Sequence, residues 1–219
     1  MNFSEYLIKW GLTGLIWSAW CGAHSILNSE GLMRGSGLLD SALGRYYRLI
    51  YSIVAVITLL AASWMTPNWQ EIELWRFQGP ALVIPALVWA PAVVMFYLTF
   101  RFFNVWDFLG LTALGIGRRS GASSKKLITW GIYGMIRHPQ FAAGLMMLWA
   151  RNLTDTGLVI NIILSLYLII GARIEETGLL TLYGDTYAQY MKKVPRFIPH
   201  HAPSVRAIFQ RTGIRAEDQ

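Results

Sequence analysis

The stretch Gly131-Ile132-Tyr133-Gly134-Met135-Ile136-Arg137-His138-Pro139 decides the reading of this chain. It lies between two apolar runs and sets an arginine and a histidine at the edge of one of them. Ionisable residues beside membrane segments are costly and need a partner or a task. About forty residues on stand Glu175-Glu176, and after them Val194-Pro195-Arg196-Phe197-Ile198-Pro199. Three such clusters at apolar boundaries, all on one expected side of a membrane, point to a single shared polar site.

Working outward, composition sets the class. The chain has 219 residues, 54% hydrophobic and 14% charged, where a soluble domain carries about 25% charged residues. This predicts an all-α, polytopic membrane helix bundle. Ten Trp and ten Tyr suit interfacial belts. The length leaves room for four to six spans and none for a large soluble domain. Five spans are expected, at about 6–27, 46–65, 80–101, 139–151 and 157–173, the fourth too short to cross upright. The head of the chain, with Glu5 and Lys9, has no net positive charge, so the first apolar run is expected to be a retained span rather than a signal peptide. Cys21 is the single cysteine. It allows no disulfide within the chain and no cysteine-based zinc cluster, and it reads as a small buried hydrophobe.

The net charge of +7 is explained by topology, without nucleic acid as a partner. Arg34, Arg45 and Arg48 fall between the first two spans. Arg101, Arg118, Arg119, Lys125, Lys126 and Arg137 fall between the third and fourth. Arg173, Lys192, Lys193, Arg196, Arg206, Arg211 and Arg215 follow the fifth. These are sixteen of the 19 basic residues; Lys9, Arg76 and Arg151 lie on the other side. Basic residues stay inside, so the N-terminus is expected outside and the C-terminus in the cytoplasm, in a membrane of the bacterial inner-membrane type. One integral domain over 1–219 is expected, with three N-terminal spans in 1–101, a polar-site core in 127–199 and a cytoplasmic tail from 200. Segment 66–79 reads as an external loop. Segment 115–126, with Gly115, Gly117, Gly121, Ser123 and Ser124, reads as a flexible basic cytoplasmic loop.

The clusters themselves suggest chemistry. Proline suits the first turn of a helix, so the fourth span should start at Pro139 with Arg137 and His138 at its mouth. A helix N-terminus offers free N–H groups and partial positive charge, and Arg137 adds a fork of donors, which together suit an anionic group. A plainer role is also open, with Arg137 as a headgroup anchor and His138 as a cap. Glu175-Glu176 is expected to end the fifth span, with one acid facing the bundle. Tyr183, Tyr187 and Tyr190 share a face if 176–191 is helical, which reads as an amphipathic cytoplasmic helix on the membrane surface, although Gly184-Asp185 can break it. The proline-stiffened 194–199 segment cannot be helix interior; it reads as an extended lid or as a terminator. His24, in Ala23-His24-Ser25, closes the first span and either lines the same cavity or is structural. His200-His201 is a weak metal signal without carboxylates at ligand spacing, and no metal site is expected. The Asn152-Leu153-Thr154 sequon lies too near the membrane to count.

Together these pieces resemble the isoprenylcysteine carboxyl methyltransferase-like superfamily of integral membrane methyltransferases. The pattern is carried from Leu127 to Pro199, about a third of the chain, by Gly131, Tyr133, Ile136, Arg137, His138, Pro139, Glu175, Glu176, Leu179, Tyr183, Gly184, Tyr187, Tyr190, Val194, Pro195, Ile198 and Pro199. The N-terminal half, with Trp20-Cys21-Gly22-Ala23-His24-Ser25, Arg45-Tyr46-Tyr47-Arg48-Leu49-Ile50-Tyr51 and Asp107-Phe108-Leu109-Gly110-Leu111, is similar to the methanethiol S-methyltransferase and NnrU-like branch. Two positions depart from the pattern: Gly134 stands where a basic residue is frequent, and Phe141 replaces a frequent tyrosine.

The resemblance implies S-adenosyl-L-methionine as cofactor. The residues implied for its site are Gly131, Tyr133, Arg137, His138, Pro139, Glu175, Glu176, Tyr183, Tyr187, Tyr190, Pro195 and Arg196. His138, Arg137 and His24 are the catalytic candidates, with a histidine taking the proton of a thiol acceptor. The acceptor would be a small thiol or a lipid-like molecule entering from the bilayer. Other readings stay open on the sequence: an isoprenylcysteine-type carboxyl methyltransferase, a non-catalytic NnrU-like factor in nitrogen-oxide metabolism, and an NADPH-dependent reductase of the sterol-reductase type.

Overall fold

A computed structural model describes residues 2–29, 44–102, 104–117 and 127–199. The loop at 118–126, Arg34, His200-His201 and the tail from 200 lie outside the described residues. Seven α-helices are present among those described: α1 Phe3–Asn28, α2 Tyr47–Met65, α3 Val83–Phe100, α4 Val105–Phe108, α5 Pro139–Trp149, α6 Asp155–Tyr183 and α7 Asp185–Lys193. Each of the five apolar runs singled out in the sequence is helical. Among the described residues, three segments are long and apolar enough to cross a membrane: Gly44–Met65, Gly79–Phe100 and Asp155–Tyr183. Their outward faces carry Ile53, Val56, Ile57 and Leu60 on α2, Leu87, Val93 and Val94 on α3, and Ile162, Leu166 and Ile170 on α6. So much exposed aliphatic surface is unusual against water and suits lipid. α5 has 11 residues, far short of the roughly 20 needed to span.

The chain divides into two compact units. The first comprises Met1–Gln78, Phe103–Ala122 and Arg151–Tyr167; the second comprises Gly79–Phe102, Ser123–Ala150 and Leu168–Gln219.

In the first unit α1 begins with a reciprocal cap. The Asn2 side chain accepts from the Glu5 amide at 3.0 Å, and the Glu5 carboxylate accepts from the Asn2 amide at 2.9 Å. α1 packs on α2, and the Trp17 indole donates to Thr66 Oγ1 at 2.9 Å. A buried ion pair ties α1 to the start of α6: Lys9 Nζ lies 2.5 Å from Asp155 Oδ2, with the two side chains 0% and 5% exposed. The same carboxylate accepts from the Trp10 indole at 2.8 Å and the Ile72 amide at 3.0 Å. Segment 66–79 is not wholly loop. Glu73–Trp75 (β1) pairs antiparallel with Leu153–Thr154 (β2). The all-α expectation missed this short ribbon because two or three residues carry no readable alternation. Gly110 has φ +76°, and a Cβ there would meet the Leu49 amide nitrogen at 2.2 Å, so the backbone of 109–111 lies against α2 only because this residue has no side chain.

The second unit contains α3, α5 and α7, and residues 168–183 of α6. α3 packs along α5; Ala92 and Ala143 are fully buried, and the Trp89 indole donates to the Ala150 carbonyl at 2.7 Å. One sequence expectation needs correction. Glu175-Glu176 does not end a helix, because α6 runs unbroken for 29 residues to Tyr183. The first breaker is Gly184, with φ +53°, a conformation that favours glycine. It separates α6 from α7 and turns the chain back.

Candidate functional site

The site residues of the second unit come from four neighbouring segments: a 3-10 turn at Gly131–Gly134, the mouth of α5, the last two turns of α6, and α7 with the strap 194–199 behind it. Pro139 is the first residue of α5, as its ring geometry favours, and it is fully buried. His138 precedes it as the cap, but its side chain makes no cap bond. The ring turns to the glutamates instead.

Glu176 is the centre of the arrangement. It is 3% exposed and is held by three cationic or ring donors. Arg137 reaches its Oε1 through Nε at 2.8 Å and Nη2 at 2.7 Å. Arg196 forks onto both oxygens, with Nε at 3.1 and 3.2 Å and Nη2 on Oε2. His138 Nε2 stands 3.1 Å from Oε1, while its Nδ1 lies 3.4 Å from Oε2 of Glu175. A buried carboxylate is tolerable only when it is paired in this way. The remaining Arg137 nitrogen, Nη1, donates to the Met191 carbonyl at 3.0 Å and to that of Val194. All three guanidinium nitrogens of Arg137 are therefore engaged by the protein itself.

The strap is also held by main chain. The Arg137 amide donates to the Pro195 carbonyl at 2.9 Å, and the His138 amide to that of Arg196 at 3.1 Å. The segment is outside any helix, as its two prolines predict, but it bends at Val194 and over 196–198 rather than running straight, and it lies against the mouth of α5. His138 stacks on Phe141 at 5.5 Å with ring planes 5° apart, and Phe197 comes within 6.2 Å of it.

Gly131, Ile132 and Tyr133 are buried in the 3-10 turn. Tyr133 packs with Leu98 and Ile132, and its ring meets Phe102 edge-on at 5.6 Å. Its carbonyl accepts from the Tyr190 hydroxyl at 2.6 Å, and its hydroxyl lies 3.5 Å from Gln140 Oε1. α7 is amphipathic, and its tyrosine face is turned into the protein. Tyr187, Tyr190 and Val194 form a cluster with Leu127, Leu179 and Tyr183. The fit is set by Gly184, which folds α7 back on α6. Burial pushes the Tyr187 hydroxyl up to about 12, with the Glu176 carboxylate adding to it. Tyr133 and Tyr190 are pushed upward chiefly by burial. Arg196 is raised, first by its hydrogen bond to Glu176.

Two groups keep an accessible edge: the Glu175 side chain is 49% exposed and that of Arg196 30%. The amides of the first α5 turn have no partner within the helix. His24, the remaining candidate, belongs to the first unit. Its Nε2 lies 2.8 Å from the Tyr51 hydroxyl, its ring stacks on Trp20 at 5.1 Å, and Tyr167 approaches edge-on at 6.1 Å. Sequence reading missed Gln140 and the partners of His24. For Tyr51 and Trp20 a signal existed, since Tyr51 closes the Arg45–Tyr51 motif and Trp20 opens the Trp20–Ser25 motif; Tyr167 looks like any apolar-helix aromatic.

Neither a family model nor a solved structure matches the chain. Curated proteins do. Methanethiol S-methyltransferase 1 of Bradyrhizobium diazoefficiens is 27% identical over 160 residues, which cover 69% of this chain and 54% of that protein. The methanethiol S-methyltransferase of Pseudomonas deceptionensis is 27% identical over 157 residues, 69% of this chain and 59% of that protein. Protein-S-isoprenylcysteine O-methyltransferase of Schizosaccharomyces pombe is 38% identical over 77 residues, 33% of each chain. The match thus spans between half and two-thirds of the length of the methanethiol enzymes.

Proposed function

We propose that this chain, a distant homologue of the methanethiol S-methyltransferases and of isoprenylcysteine O-methyltransferase, is an integral membrane methyltransferase that uses S-adenosyl-L-methionine. Its acceptor is a small thiol or a membrane-soluble, lipid-like molecule. The observation that carries the reading is the convergence of Arg137-His138-Pro139, Glu175-Glu176 and the Arg196 strap on one buried carboxylate. Segments far apart in sequence are spent on building one polar mouth at the start of a short helix.

The donor supplies a methyl group on a sulfonium, which a nucleophile displaces. The protein's task is then alignment and exclusion of water rather than strong acid–base chemistry. The accessible residues suit the donor's charged end. Glu175 would hold the ammonium; Arg196 and the first-turn amides of α5 would hold the carboxylate. Tyr183, half-buried where Tyr187 and Tyr190 are buried, would meet the adenine. Arg137, Glu176, His138, Tyr187 and Tyr190 act as the frame that positions these groups. Pro195 and its neighbours form the lid. Both ring nitrogens of His138 face carboxylates, so its part is to orient Glu175 and Glu176.

The finer topology belongs to the same proposal: five helices within or against the bilayer, N-terminus outside, C-terminus and α7 cytoplasmic, acceptor entering from the lipid. Reporter fusions at Gly117 and Gln219 should read cytoplasmic and one at Asn68 external. The decisive assay is radiolabelled methyl transfer by the purified protein to methanethiol and to a prenylcysteine. Thioether formation supports the thiol acceptor; carboxyl methylation alone moves the reading to the isoprenylcysteine type. Failure to bind S-adenosylhomocysteine defeats both.

A further inference from the structure

The second unit holds three polar side chains that the binding scheme above leaves without a task. Thr99 stands in the last turn of α3, Tyr133 in the 3-10 turn, and Gln140 beside Pro139 in the first turn of α5. Thr99 is 2% exposed and Tyr133 8%. Gln140 is half-buried and forms the accessible edge of the group. All three belong to the same unit as Glu175 and Arg196.

Thr99 behaves differently from five other helical hydroxyls. Thr13, Thr58, Ser63, Thr177 and Thr181 each donate to the carbonyl four residues back, at 2.7 to 3.1 Å. Such back-bonding is the local way to satisfy a hydroxyl on a helix. Thr99 Oγ1 makes no bond of this kind and is buried without a hydrogen-bond partner among the described residues. It lies near the Tyr133 hydroxyl, which it and Gln140 keep from rising as far as burial alone would take it. The Tyr133 hydroxyl donates toward Gln140 Oε1 at 3.5 Å, long against the roughly 2.7–2.8 Å of a full O–H···O bond. With Oε1 turned to Tyr133, the Gln140 amide N–H groups are turned away from it. Leaving a buried hydroxyl unmet is costly, and a ligand group that meets it recovers that cost.

We propose that Thr99, Tyr133 and Gln140 form the subsite for the ribose hydroxyls of the methyl donor, an assignment that rests on the methyltransferase reading above. The three groups are neutral, and each can both donate and accept. A pair of neighbouring hydroxyls needs that mixture, because each gives one proton and offers lone pairs. The donor's charged end calls for charged or dipolar partners and finds them in Glu175, Arg196 and the first-turn amides of α5. The charged side chain that weighs on the Tyr133 hydroxyl is Glu175. A carboxylate is therefore repelled from this subsite, whereas a hydroxyl donor is not.

The test is calorimetric titration of the full chain in detergent with S-adenosylhomocysteine and with its 2′-deoxy and 3′-deoxy forms. At least one deoxy form is expected to bind about tenfold more weakly, the scale of a lost hydrogen bond that leaves a buried partner unmet. Thr99→Val keeps the shape and removes the hydroxyl; Gln140→Met keeps the length and removes the amide. Each should weaken S-adenosylhomocysteine by about the same factor, with little further effect on the deoxy form that already lacks the matching hydroxyl. Thr99→Ser, which keeps the hydroxyl, should bind as the unaltered chain does. Deoxy forms that bind the unaltered chain as tightly as S-adenosylhomocysteine would overturn the subsite without recourse to any variant. So would variants that leave S-adenosylhomocysteine unaffected, or that weaken all three ligands alike. Absence of S-adenosylhomocysteine binding by the unaltered chain would instead overturn the methyltransferase reading, and the subsite with it.

Discussion

Arg137 places two nitrogens on a single oxygen of Glu176, Nε at 2.8 Å and Nη2 at 2.7 Å, and spends its third on carbonyls of α7 and the strap. One side chain thereby fixes the helix mouth, the end of α6 and the strap against one another.

Removing either member of that pair should cost about 3–5 kcal/mol of stability, because the other charge stays buried without its partner. Removing both should cost clearly less than the sum, with a coupling of roughly 0.5–3 kcal/mol. Equilibrium unfolding of Arg137→Met, Glu176→Gln and the double variant in micelles measures it. Strict additivity would show that the two side chains do not act as a unit.

Arg196 is more exposed than Arg137 and shares Glu176 with it. Arg196→Ala should therefore leave the fold in place and weaken S-adenosylhomocysteine by about tenfold to a hundredfold, the scale of one charge-assisted hydrogen bond at about 1.5–3 kcal/mol. An unfolded variant, or unchanged affinity, would return Arg196 to a purely structural role.

Tyr187 predicts an alkaline limit. Its hydroxyl is raised from 10.0 to about 12 in the folded chain, by burial first and by the Glu176 carboxylate next. The folded state thus holds the proton more tightly than the unfolded one. The stability this contributes is complete below pH 10 and is lost as the pH rises toward 12. Tyr187→Phe should flatten the fall of melting temperature across that window. An identical fall in the variant would assign it to other groups.

In the first unit the ion pair of Lys9 and Asp155 is asymmetric. Asp155 accepts from Lys9, the Trp10 indole and the Ile72 amide, whereas Lys9 meets, among the described residues, Asp155, the Gln70 carbonyl and the face of the Tyr6 ring at 5.0 Å. Asp155→Ala should cost about 3–5 kcal/mol, since it strands a fully buried ammonium. Lys9→Met leaves the carboxylate with the Trp10, Ile72 and Thr156 N–H donors and should cost less. The reverse order in denaturant unfolding would refute the argument.

The helices were legible because long apolar runs and a proline at a helix start are local signals. Pro139 at a helix start and the non-helical 194–199 segment follow from the geometry of proline alone. The meeting of Arg137, Glu176 and Arg196 was legible only as a shared side of the membrane. That the two arginines serve the glutamate first depends on side-chain reach across folded segments, which spacing does not encode. The end of α6 was misplaced because two adjacent acids look like a helix boundary, whereas a buried acid with three donors can sit inside the helix. The β1–β2 ribbon and the surroundings of His24 are products of packing between distant segments and leave no periodic trace.

The two main-chain bonds between the strap and the mouth of α5 run in one direction: the strap's carbonyls accept, and the amides of Arg137 and His138 donate. Pro195 has no N–H to offer, and none is asked of it. Stiffness therefore comes without a forfeited bond. A proline there narrows the unfolded ensemble and so reduces the conformational entropy lost when the segment orders. Docking of the strap is thus governed more by the bonds it forms than by the conformations it must give up.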